Sequence, residues 1–435
     1  MANVHVFIPL CLVVSVAWCC RLDAQSFPTP APPQARPIYL VGGTIHQGNG
    51  TVIEDGVLGF AEGKITLVGK AETPFDRTGA EVLDIRGKHV YPGLIAVNTT
   101  LGLVEIEAVR ATNDDEEVGS INPHVRSLIA YNAESAIIPT VRFNGVLLAM
   151  VAPRGGLVSG RSSVVELDAW NWEDAVLKAD IGIHVNFPVP VRQPGAQDID
   201  RKAQDEAYTK QLHALYQLFR EAQAYAKSAM PKEKNLRLEA MRGLFDGSKK
   251  LFIRAHHAKA IIAAVQFARE FGITPIIVGG ADSWLVADVL KAYNVPVMLE
   301  GTHVLPQRWS DDIEQPYKTP ALLHKTGILF CIGGLPQNWQ QRNLAFQAGT
   351  AAAFGLDKEA ALSAITRNPA IILGIEHRVG TLEVGKDATL FVSEGDALDM
   401  RGNRVEYAYI RGKRLQLTDK QKFLYEQYKA KYGQR

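Results

Sequence analysis

From Tyr91 to Gly374 the sequence alternates between short apolar runs and helix-like segments, and this alternation constrains the fold more than any other feature. Strands that alternate with helices are typical of a parallel sheet whose strands are joined by crossover helices. Six apolar runs are candidate core strands: Gly145–Val151, Val164–Leu167, Leu251–Ala255, Thr274–Val278, Val295–Glu300 and Ile328–Ile332. With 435 residues, of which 47% are hydrophobic, the chain can bury a core of that size.

Both flanks of this region carry a different pattern, in which short strands are separated by turns. Asn49-Gly50 and Asp55-Gly56 lie between apolar runs, and residue pairs of this kind favour tight hairpin turns. Strand-like runs with turn signals return after Gly374 and continue to Leu417. We therefore predict an α/β protein in which residues 38–90 and 375–417 build one composite β-sandwich beside a barrel formed by residues 91–374.

A long helical segment interrupts the alternation at about residues 200–247. Within Ala203–Lys227 the apolar residues Leu212, Leu215 and Phe219 recur at helical spacing and define one apolar stripe. Two arrangements are open for this insertion: a pair of helices on the outside of the barrel, or a lid over its mouth. The last segment, residues 418–435, is polar and is predicted to form a helix without recognisable chemistry.

The N-terminus has the pattern of a signal peptide. Val6–Ala17 is an apolar run of the right length for the core of such a peptide and is too short to span a bilayer. We predict a signal peptide at residues 1–24 and a Pro-rich leader at 25–37, and hence a periplasmic or secreted protein; a buried N-terminal strand or helix is the alternative. Cleavage would leave Cys331 as the single cysteine, so no internal disulfide is expected.

The charge balance gives no general attraction to polyanions. The formal net charge is +1, so we expect neither nucleic acid nor anionic lipid as a general partner, and no further segment is long and apolar enough to span a membrane. The expected partner is a small molecule.

Two segments resemble the amidohydrolase superfamily. The first is Tyr91-Pro92-Gly93-Leu94-Ile95-Ala96-Val97-Asn98-Thr99-Thr100, where the family usually has Pro-Gly-Leu-Ile-Asp-x-His-x-His. The second comprises Ala361–Ala370 and Val379–Ala388, which are similar to the family's last barrel helix and its return to the sandwich. The resemblance covers roughly residues 38–417 and is closest to the imidazolonepropionase-like branch. It implies a distorted TIM-like (β/α)8 barrel with a β-sandwich, and a site at the carboxyl ends of the barrel strands.

The same resemblance assigns the family's metal-ligand positions to residues of this chain. The two first-strand histidines correspond to Asn98 and Thr100, and the fifth-strand histidine corresponds to Arg254, with His256 two positions later. By a loose alignment the fourth-strand lysine corresponds to His184. The sixth-strand histidine falls at Gly279, and the eighth-strand aspartate falls at one of the glycines of Gly333-Gly334.

These replacements argue against the family's metal chemistry. Arginine has no lone pair to offer, and the amide of asparagine and the hydroxyl of threonine are poor ligands for zinc. No cofactor is therefore expected, although the family would imply zinc or another divalent metal. A rebuilt Ca²⁺ or Mg²⁺ site remains open, with carboxylates drawn from Glu105, Glu107, the acidic run at 114–117 and Glu300.

The residues that remain as candidates divide into two groups. The catalytic candidates are His256 and His184, and the ligand-binding candidates are Arg254, Arg161, Asn98, Thr100, Glu300 and His303. The loop at residues 152–163 follows a strand and combines glycines with Arg154 and Arg161, so it could form a backbone nest for an anion or a purely structural turn.

Two functions stay open. One is hydrolysis of non-peptide C–N bonds, in cyclic amides or dipeptide-like substrates, as the resemblance implies. The other is a metal-free pseudoenzyme that binds an anionic small molecule or acts as a regulatory subunit, either as a homodimer or paired with an active relative.

We predict that the exported protein begins at Gln25, because the apolar run is followed by the candidate cleavage position after Ala24. The intact mass of protein recovered from the periplasm or the medium measures this. A periplasmic species that still carries Met1 would contradict the prediction.

Overall fold

The computed structural model describes residues 30–189, 198–228 and 233–434 of the chain. The predicted signal peptide at residues 1–24 therefore lies outside the described residues. The sixteen strands of the described residues are β1 Ile38–His46, β2 Val52–Ala61, β3 Lys64–Lys70, β4 Glu81–Asp84, β5 His89–Pro92, β6 Leu94–Thr99, β7 Val146–Val151, β8 Val158–Glu166, β9 Val176–Asn186, β10 Lys250–Ala255, β11 Pro275–Gly279, β12 Val297–Leu299, β13 Phe330–Ile332, β14 Leu390–Ser393, β15 Val405–Ile410 and β16 Lys413–Arg414.

Twelve α-helices occur in the same parts of the chain. They are α1 Ser127–Ala130, α2 Ile137–Arg142, α3 Trp172–Ala175, α4 Asp198–Ala226, α5 Leu236–Met241, α6 Ala258–Glu270, α7 Ala287–Ala292, α8 Gln315–Thr326, α9 Leu344–Ala353, α10 Lys358–Ser363, α11 Arg367–Leu373 and α12 Lys420–Lys431. Short 3₁₀ segments directly precede α7 and α9, at Ser283–Val286 and Asn338–Asn343.

The strands form two sheets, and one of them is the barrel. Its eight strands follow chain order from β6 to β13, and β9 to β13 pair in parallel, as do β6 and β7. Gly334 N donates to Val97 O at 2.9 Å, which links the end of the last strand to the first. The predicted distorted TIM-like barrel is thus confirmed.

Strand β8 is the exception to the parallel order, because it pairs antiparallel with both β7 and β9. Only residues 152–157 separate β7 from β8, and a parallel return needs a crossover of about a dozen residues or more. The run Val164–Leu167 was predicted as a strand of the parallel set. It instead belongs largely to the second half of β8, which runs in the opposite direction.

The second sheet joins the two ends of the chain, as predicted. Its order is β16-β15-β14-β5-β1-β2-β3, with β4 paired to β1, so strands before residue 93 and after residue 389 belong to one sheet and meet at β5 and β14. Residues of these strands, including Leu40, Phe60, Val90 and Tyr409, pack into an apolar cluster of their own. The barrel interior holds a separate cluster that includes Ile95, Phe252 and Cys331.

The helical insertion packs on the outside of the barrel. Leu215 and Phe219 of α4 are fully buried, and the Phe219 ring lies 4.8 Å from Phe267 and 5.3 Å from Phe271 at the end of α6. The apolar stripe predicted from the sequence is therefore the surface that contacts α6. Of the two arrangements left open, α4 takes the outer one and not that of a lid.

None of the helices in residues 30–189, 198–228 and 233–434 is long and apolar enough to cross a membrane.

One buried ion pair connects the leader to the barrel. Arg142, at the end of α2, contacts Asp168 at 2.8 Å, and both side chains are almost completely buried. Asp168 also accepts a hydrogen bond of 3.0 Å from the backbone N–H of Ala31. Removing the arginine would leave a buried carboxylate without its main counter-charge.

We expect Arg142→Met to destabilise the protein by about 3 kcal/mol, because breaking one side of a buried pair leaves an uncompensated charge. Urea unfolding followed by circular dichroism measures this change. Arg401→Met is the matched control, since Arg401 pairs with Asp399 on the surface, and its unfolding midpoint should stay at the wild-type value. Equal midpoints for the two variants would contradict the prediction.

Candidate functional site

The carboxyl ends of the parallel strands form the barrel mouth, and β10 directs a cation into it. Side chains alternate between the two faces of a strand, so Arg254 lies on the same face of β10 as Phe252. Phe252 belongs to the apolar cluster in the barrel interior. Arg254 pairs in register with Asn186 of β9, one step above the pair formed by Phe252 and His184. Arg254 thus lies at the rim of the barrel and His184 lies one layer deeper.

Arg254, Glu300 and His256 form a polar cluster at this rim. Nη1 of Arg254 donates to Oε1 of Glu300 at 3.3 Å, and Nε2 of His256 lies 3.8 Å from the same oxygen. Glu300 directly follows β12, so the three side chains come from the carboxyl ends of β10 and β12, which are separated by β11. Glu300 is the partner that a buried guanidinium requires.

A cavity of about 280 Å³ opens above this cluster. Its lining combines two cations with one carboxylate: Arg154, Gly155, Asn186, Arg254, Glu300, Val304, Gly334 and Pro336. The local charge is therefore positive when Glu300 is ionised and both arginines are protonated.

Burial acts on the charged groups of the cluster. It lowers the pKa of Arg254, with the Glu300 carboxylate opposing that shift and Arg154 adding to it, but an arginine remains charged throughout the physiological range. Burial also lowers the pKa of His256, although Glu300 counteracts it. His256 is therefore a neutral imidazole at pH 7, and its Nδ1 has no hydrogen-bond partner among the described residues.

The His256 ring occupies the space that a side chain at position 279 would need. Gly279 has φ +99°, and a Cβ atom placed on it would lie 2.5 Å from Cε1 of His256. By the resemblance, Gly279 corresponds to the family's sixth-strand histidine. The imidazole of His256, which follows the neighbouring strand β10, occupies that space and lies close to Glu300.

Asn98 and Thr100 differ in what they offer to the mouth. Asn98 adopts φ +50°, a left-handed conformation that asparagine tolerates better than most residues. It lies where the pairing of β6 with β7 is irregular, between Ala96 and Thr99. A Cβ atom on Gly334 would lie 3.5 Å from Nδ2 of Asn98 and 3.7 Å from Cγ of Glu300, so both side chains border the same glycine.

Thr100 has a structural partner. Its hydroxyl donates to Oδ1 of Asn338 at 2.6 Å, and Asn338 in turn donates to the backbone oxygen of Val104 at 2.8 Å. This buried chain of hydrogen bonds fixes the loop after β6. Thr100 does not line the cavity at the mouth.

His184 is enclosed in the barrel. Its ring stacks on Phe252 with centroids 4.6 Å apart, and burial lowers its pKa to about 3. It is therefore neutral at physiological pH and lies below the cavity. Asn186, two residues later, is the β9 residue that reaches the lining.

Two further candidates lie away from the cluster. Arg161 bonds to Asp180 at 3.2 Å and to the backbone oxygen of His124 at 2.8 Å, and the His303 ring contacts the hydroxyl of Thr350 at 2.6 Å. The structure therefore brings together Arg254, His256, Glu300 and Asn98, but not Thr100, His184, Arg161 or His303.

The Gly-rich loop, which the sequence offered as a possible nest for an anion, contributes to the site together with a β9 residue that the sequence did not single out. Arg154 and Gly155 line the cavity, and Asn186 holds this loop by donating to the backbone oxygen of Gly156 at 2.8 Å. The sequence signal for Arg154 was its position directly after a barrel strand. Asn186 carried no signal beyond its place at the end of β9.

The donor chemistry at the mouth does not fit a divalent metal ion. The corresponding positions offer an amide, a hydroxyl already bonded to Asn338, a guanidinium and glycines, and the guanidinium would repel a cation. Across residues 30–189, 198–228 and 233–434, no three His, Cys, Asp or Glu side chains converge closely enough to hold a metal ion. The rebuilt carboxylate site considered above therefore has no ligand set in these parts of the chain.

A second cavity, of about 290 Å³, adjoins the first and shares Glu300 and Val304 with it. Its walls are more apolar and include Trp284, Leu299 and Pro306. Arg308 closes one side, because its guanidinium forms two hydrogen bonds, of 2.9 and 2.8 Å, with the buried Asp282.

Comparisons with known proteins agree with this architecture. A profile of the family described as "Amidohydrolase family" matches residues 334–415. The chain is 25% identical over 376 residues to "Amidohydrolase tasK" of Hapsidospora irregularis, and the match covers 73% of this chain and 36% of that protein. The chain thus spans about a third of the length of this curated relative.

Solved structures resemble nearly the whole chain. An amidohydrolase from Thermotoga maritima MSB8 superposes with a TM-score of 0.75 at 25% identity, over 87% of this chain and 99% of that one. A prolidase complexed with N-methylphosphonate-L-proline gives a TM-score of 0.55 at 16% identity, again over 87% and 99%. Molinate hydrolase gives 0.53 at 15% identity, over 88% of this chain and 95% of that one.

The last two similarities concern the fold alone. The first strand, the return from the barrel to the second sheet and the Thermotoga structure point to the same group of proteins. The chain is similar in sequence and in fold to proteins of the amidohydrolase superfamily.

Proposed function

We propose that the barrel mouth binds an anionic small molecule through Arg254, and that it does so without a metal ion. The observation that carries this proposal is the place of Arg254, which lies where the resemblance puts a metal-binding histidine and lines a cavity together with Arg154. A guanidinium there supplies the positive charge that a metal ion supplies in other family members.

The balance of charges favours a carboxylate ligand. Two arginines and one glutamate line the cavity, so a single anionic group brings the local charge to zero. Arginine recognises a carboxylate through two parallel N–H···O bonds, and the single bond from Arg254 to Glu300 leaves further donors of its fork for a ligand.

The adjoining cavity suggests what the remainder of the ligand is. Trp284, Leu299 and Pro306 form an apolar wall next to Glu300, within reach of a molecule whose anionic end lies between the arginines. The ligand class that suits both cavities is a carboxylate with an apolar or aromatic body.

Hydrolysis of a non-peptide C–N bond is the second candidate, and the neutral His256 beside Glu300 favours it. A neutral imidazole at a barrel mouth can accept a proton. Because the donors at the mouth do not fit a metal ion, such an activity would differ from the usual chemistry of the family. A binding or regulatory subunit in the periplasm or outside the cell, paired with an active relative or with a second copy, agrees with the first candidate.

We expect Arg254→Met to weaken binding of N-acetyl-L-phenylalanine by about tenfold or more, which corresponds to roughly 1.4 kcal/mol. Methionine keeps the bulk of the side chain and removes the charge that pairs with the ligand carboxylate. Isothermal titration calorimetry measures the affinity, and the melting temperature should change little.

The amide of the same amino acid is the matched control ligand, because it lacks the carboxylate and should bind the wild type and the variant equally weakly. Arg269→Met serves as a control variant, since Arg269 lies at the end of α6 over the Tyr293 ring and does not line either cavity. An affinity unchanged in Arg254→Met, or a variant that melts early, would overturn the binding proposal.

We expect the protein, purified without chelator, to contain well under one equivalent of zinc, manganese, iron or nickel, because the positions of the family ligands offer poor donors or none. Elemental analysis by mass spectrometry measures the content. One tightly held ion per chain, lost on chelation together with an amidase activity, would favour the hydrolase candidate instead.

A further inference from the structure

A third cavity, of about 610 Å³, lies between the barrel and the second sheet. Cationic side chains dominate its lining, which comprises Pro33, Gln34, Glu62, Gly63, Lys64, Arg378, Asp387, Arg411 and Lys413. It shares no residue with the two cavities at the mouth. Glu166, which contacts Arg411, ends the antiparallel strand β8, so this cavity belongs to the opposite end of the barrel.

Two hairpin turns shape the cavity. Glu62-Gly63 joins β2 to β3 and Arg411-Gly412 joins β15 to β16, and all four residues have positive φ. The turns abut, because a Cβ atom on Gly63 would lie 3.0 Å from the backbone oxygen of Arg411. Turns of this type favour Asn-Gly, so the left-handed Arg411, with φ +46°, carries a conformational cost that asparagine would reduce.

The cations outnumber the carboxylates beneath them. Lys64 and Arg378 share one buried carboxylate, that of Asp387, at 2.5 and 2.7 Å. Arg411 contacts the buried Glu166 at 2.8 Å. Two carboxylates thus serve three cations, and the excess charge has no counterpart in these contacts.

Lys413 adds a fourth cation with a weak partner. Its Nζ lies 3.6 Å from Asp168, and that carboxylate already pairs with Arg142 at 2.8 Å. Glu62 also lines the cavity, so four cations face three carboxylates in all when Asp168 is assigned to Arg142. The net excess is one positive charge.

The buried carboxylates hold the cations without covering them. The side chains of Lys64 and Arg411 remain 50% and 43% exposed, whereas Asp387 and Glu166 are almost fully buried. Lys64 and Arg411 therefore each turn a donor toward the protein and keep others toward the cavity. Arginine and lysine donors arranged in this way suit the several oxygens of a phosphoryl group.

We propose that this cavity binds a soluble oxyanion with at least two negative charges, of the phosphate-ester or pyrophosphate type. The site is independent of the ligand proposed for the barrel mouth. Since the cavity lies where the second sheet meets the barrel, an occupant would bridge residues of both ends of the chain and stabilise their junction. Lipid headgroups also carry phosphoryl groups, so the test distinguishes a soluble oxyanion from a lipid headgroup.

Calorimetric titration with pyrophosphate at constant ionic strength tests the proposal. The wild-type protein should bind one pyrophosphate per chain, and Arg411→Asn and Lys413→Met should each weaken binding at least about fivefold, because each removes one contacting charge. Arg411→Asn suits its turn but removes the counter-charge of the buried Glu166, so it should melt earlier than the wild type, whereas Lys413→Met keeps the side-chain stem and should melt like the wild type. Arg269→Met is the control and should bind pyrophosphate like the wild type, because Arg269 lines none of the three cavities.

Three results would overturn the proposal: no binding of pyrophosphate to the wild type, equal binding by both cavity variants and the wild type, or loss of binding in Arg269→Met. A further arm uses vesicles that contain phosphatidylglycerol. Cosedimentation of the wild type but not of Arg411→Asn, without any binding of pyrophosphate, would assign the cavity to a lipid headgroup and overturn the soluble ligand.

Discussion

The antiparallel pairing of β5 with β14 is the contact on which the rest of the architecture depends. It matches Val90 with Val392 and so brings the two ends of the chain into one sheet. Strand β5 continues through Gly93 into β6, and Gly93 N donates to the backbone oxygen of Thr389 at 3.0 Å. A Cβ atom on Gly93 would lie 2.9 Å from Thr389, so the close approach requires glycine here. The direction of the first barrel strand is therefore set by the pairing of the chain ends.

The fixed charge of Arg254 organises the mouth in a comparable way. A guanidinium cannot release its proton, so Glu300 must remain nearby. The burial of His256 itself lowers the pKa of that imidazole, and Glu300 opposes the shift. At the opposite end of the barrel, Asp387 and Glu166 hold cations of the third cavity in the same way. In both places a carboxylate fixes the position of an arginine, Arg254 or Arg411, whose remaining donors face open space.

Much of the fold could be predicted from the sequence, because its signals are local. The strand containing Pro92-Gly93-Leu94-Ile95, the hairpin turn at Asn49-Gly50 and the apolar stripe of α4 each follow from residues near one another in the chain. Asp55-Gly56, also predicted as a turn, instead lies inside β2. The reversed direction of β8 could not, because it depends on the short connection at residues 152–157 rather than on the apolar pattern of the strand. Apolar periodicity indicates a strand and says nothing about its direction.

Only those site residues whose location follows from their place at the end of a barrel strand could be predicted from the sequence. Arg254, His256 and Glu300 meet because they lie at the carboxyl ends of β10 and β12, two strands of one barrel with β11 between them. Thr100 and Arg161 are held elsewhere by partners that spacing does not reveal: Asn338 lies 238 positions away from Thr100, and Asp180 lies on the following strand. Arg154 reaches the cavity only because Asn186 holds the Gly-rich loop.

The packing around the glycines has a consequence for how this site could change. A histidine introduced at Gly279 would collide with His256, at 2.5 Å from its Cβ atom alone, and a side chain at Gly333 would meet Val97 at 2.3 Å. A single substitution at either position cannot recreate a metal ligand, because a neighbour has taken the vacated volume and would have to shrink first. Placing a metal ligand at either position therefore requires a second replacement, of His256 or of Val97, so steric exclusion limits which single substitutions the mouth can accept.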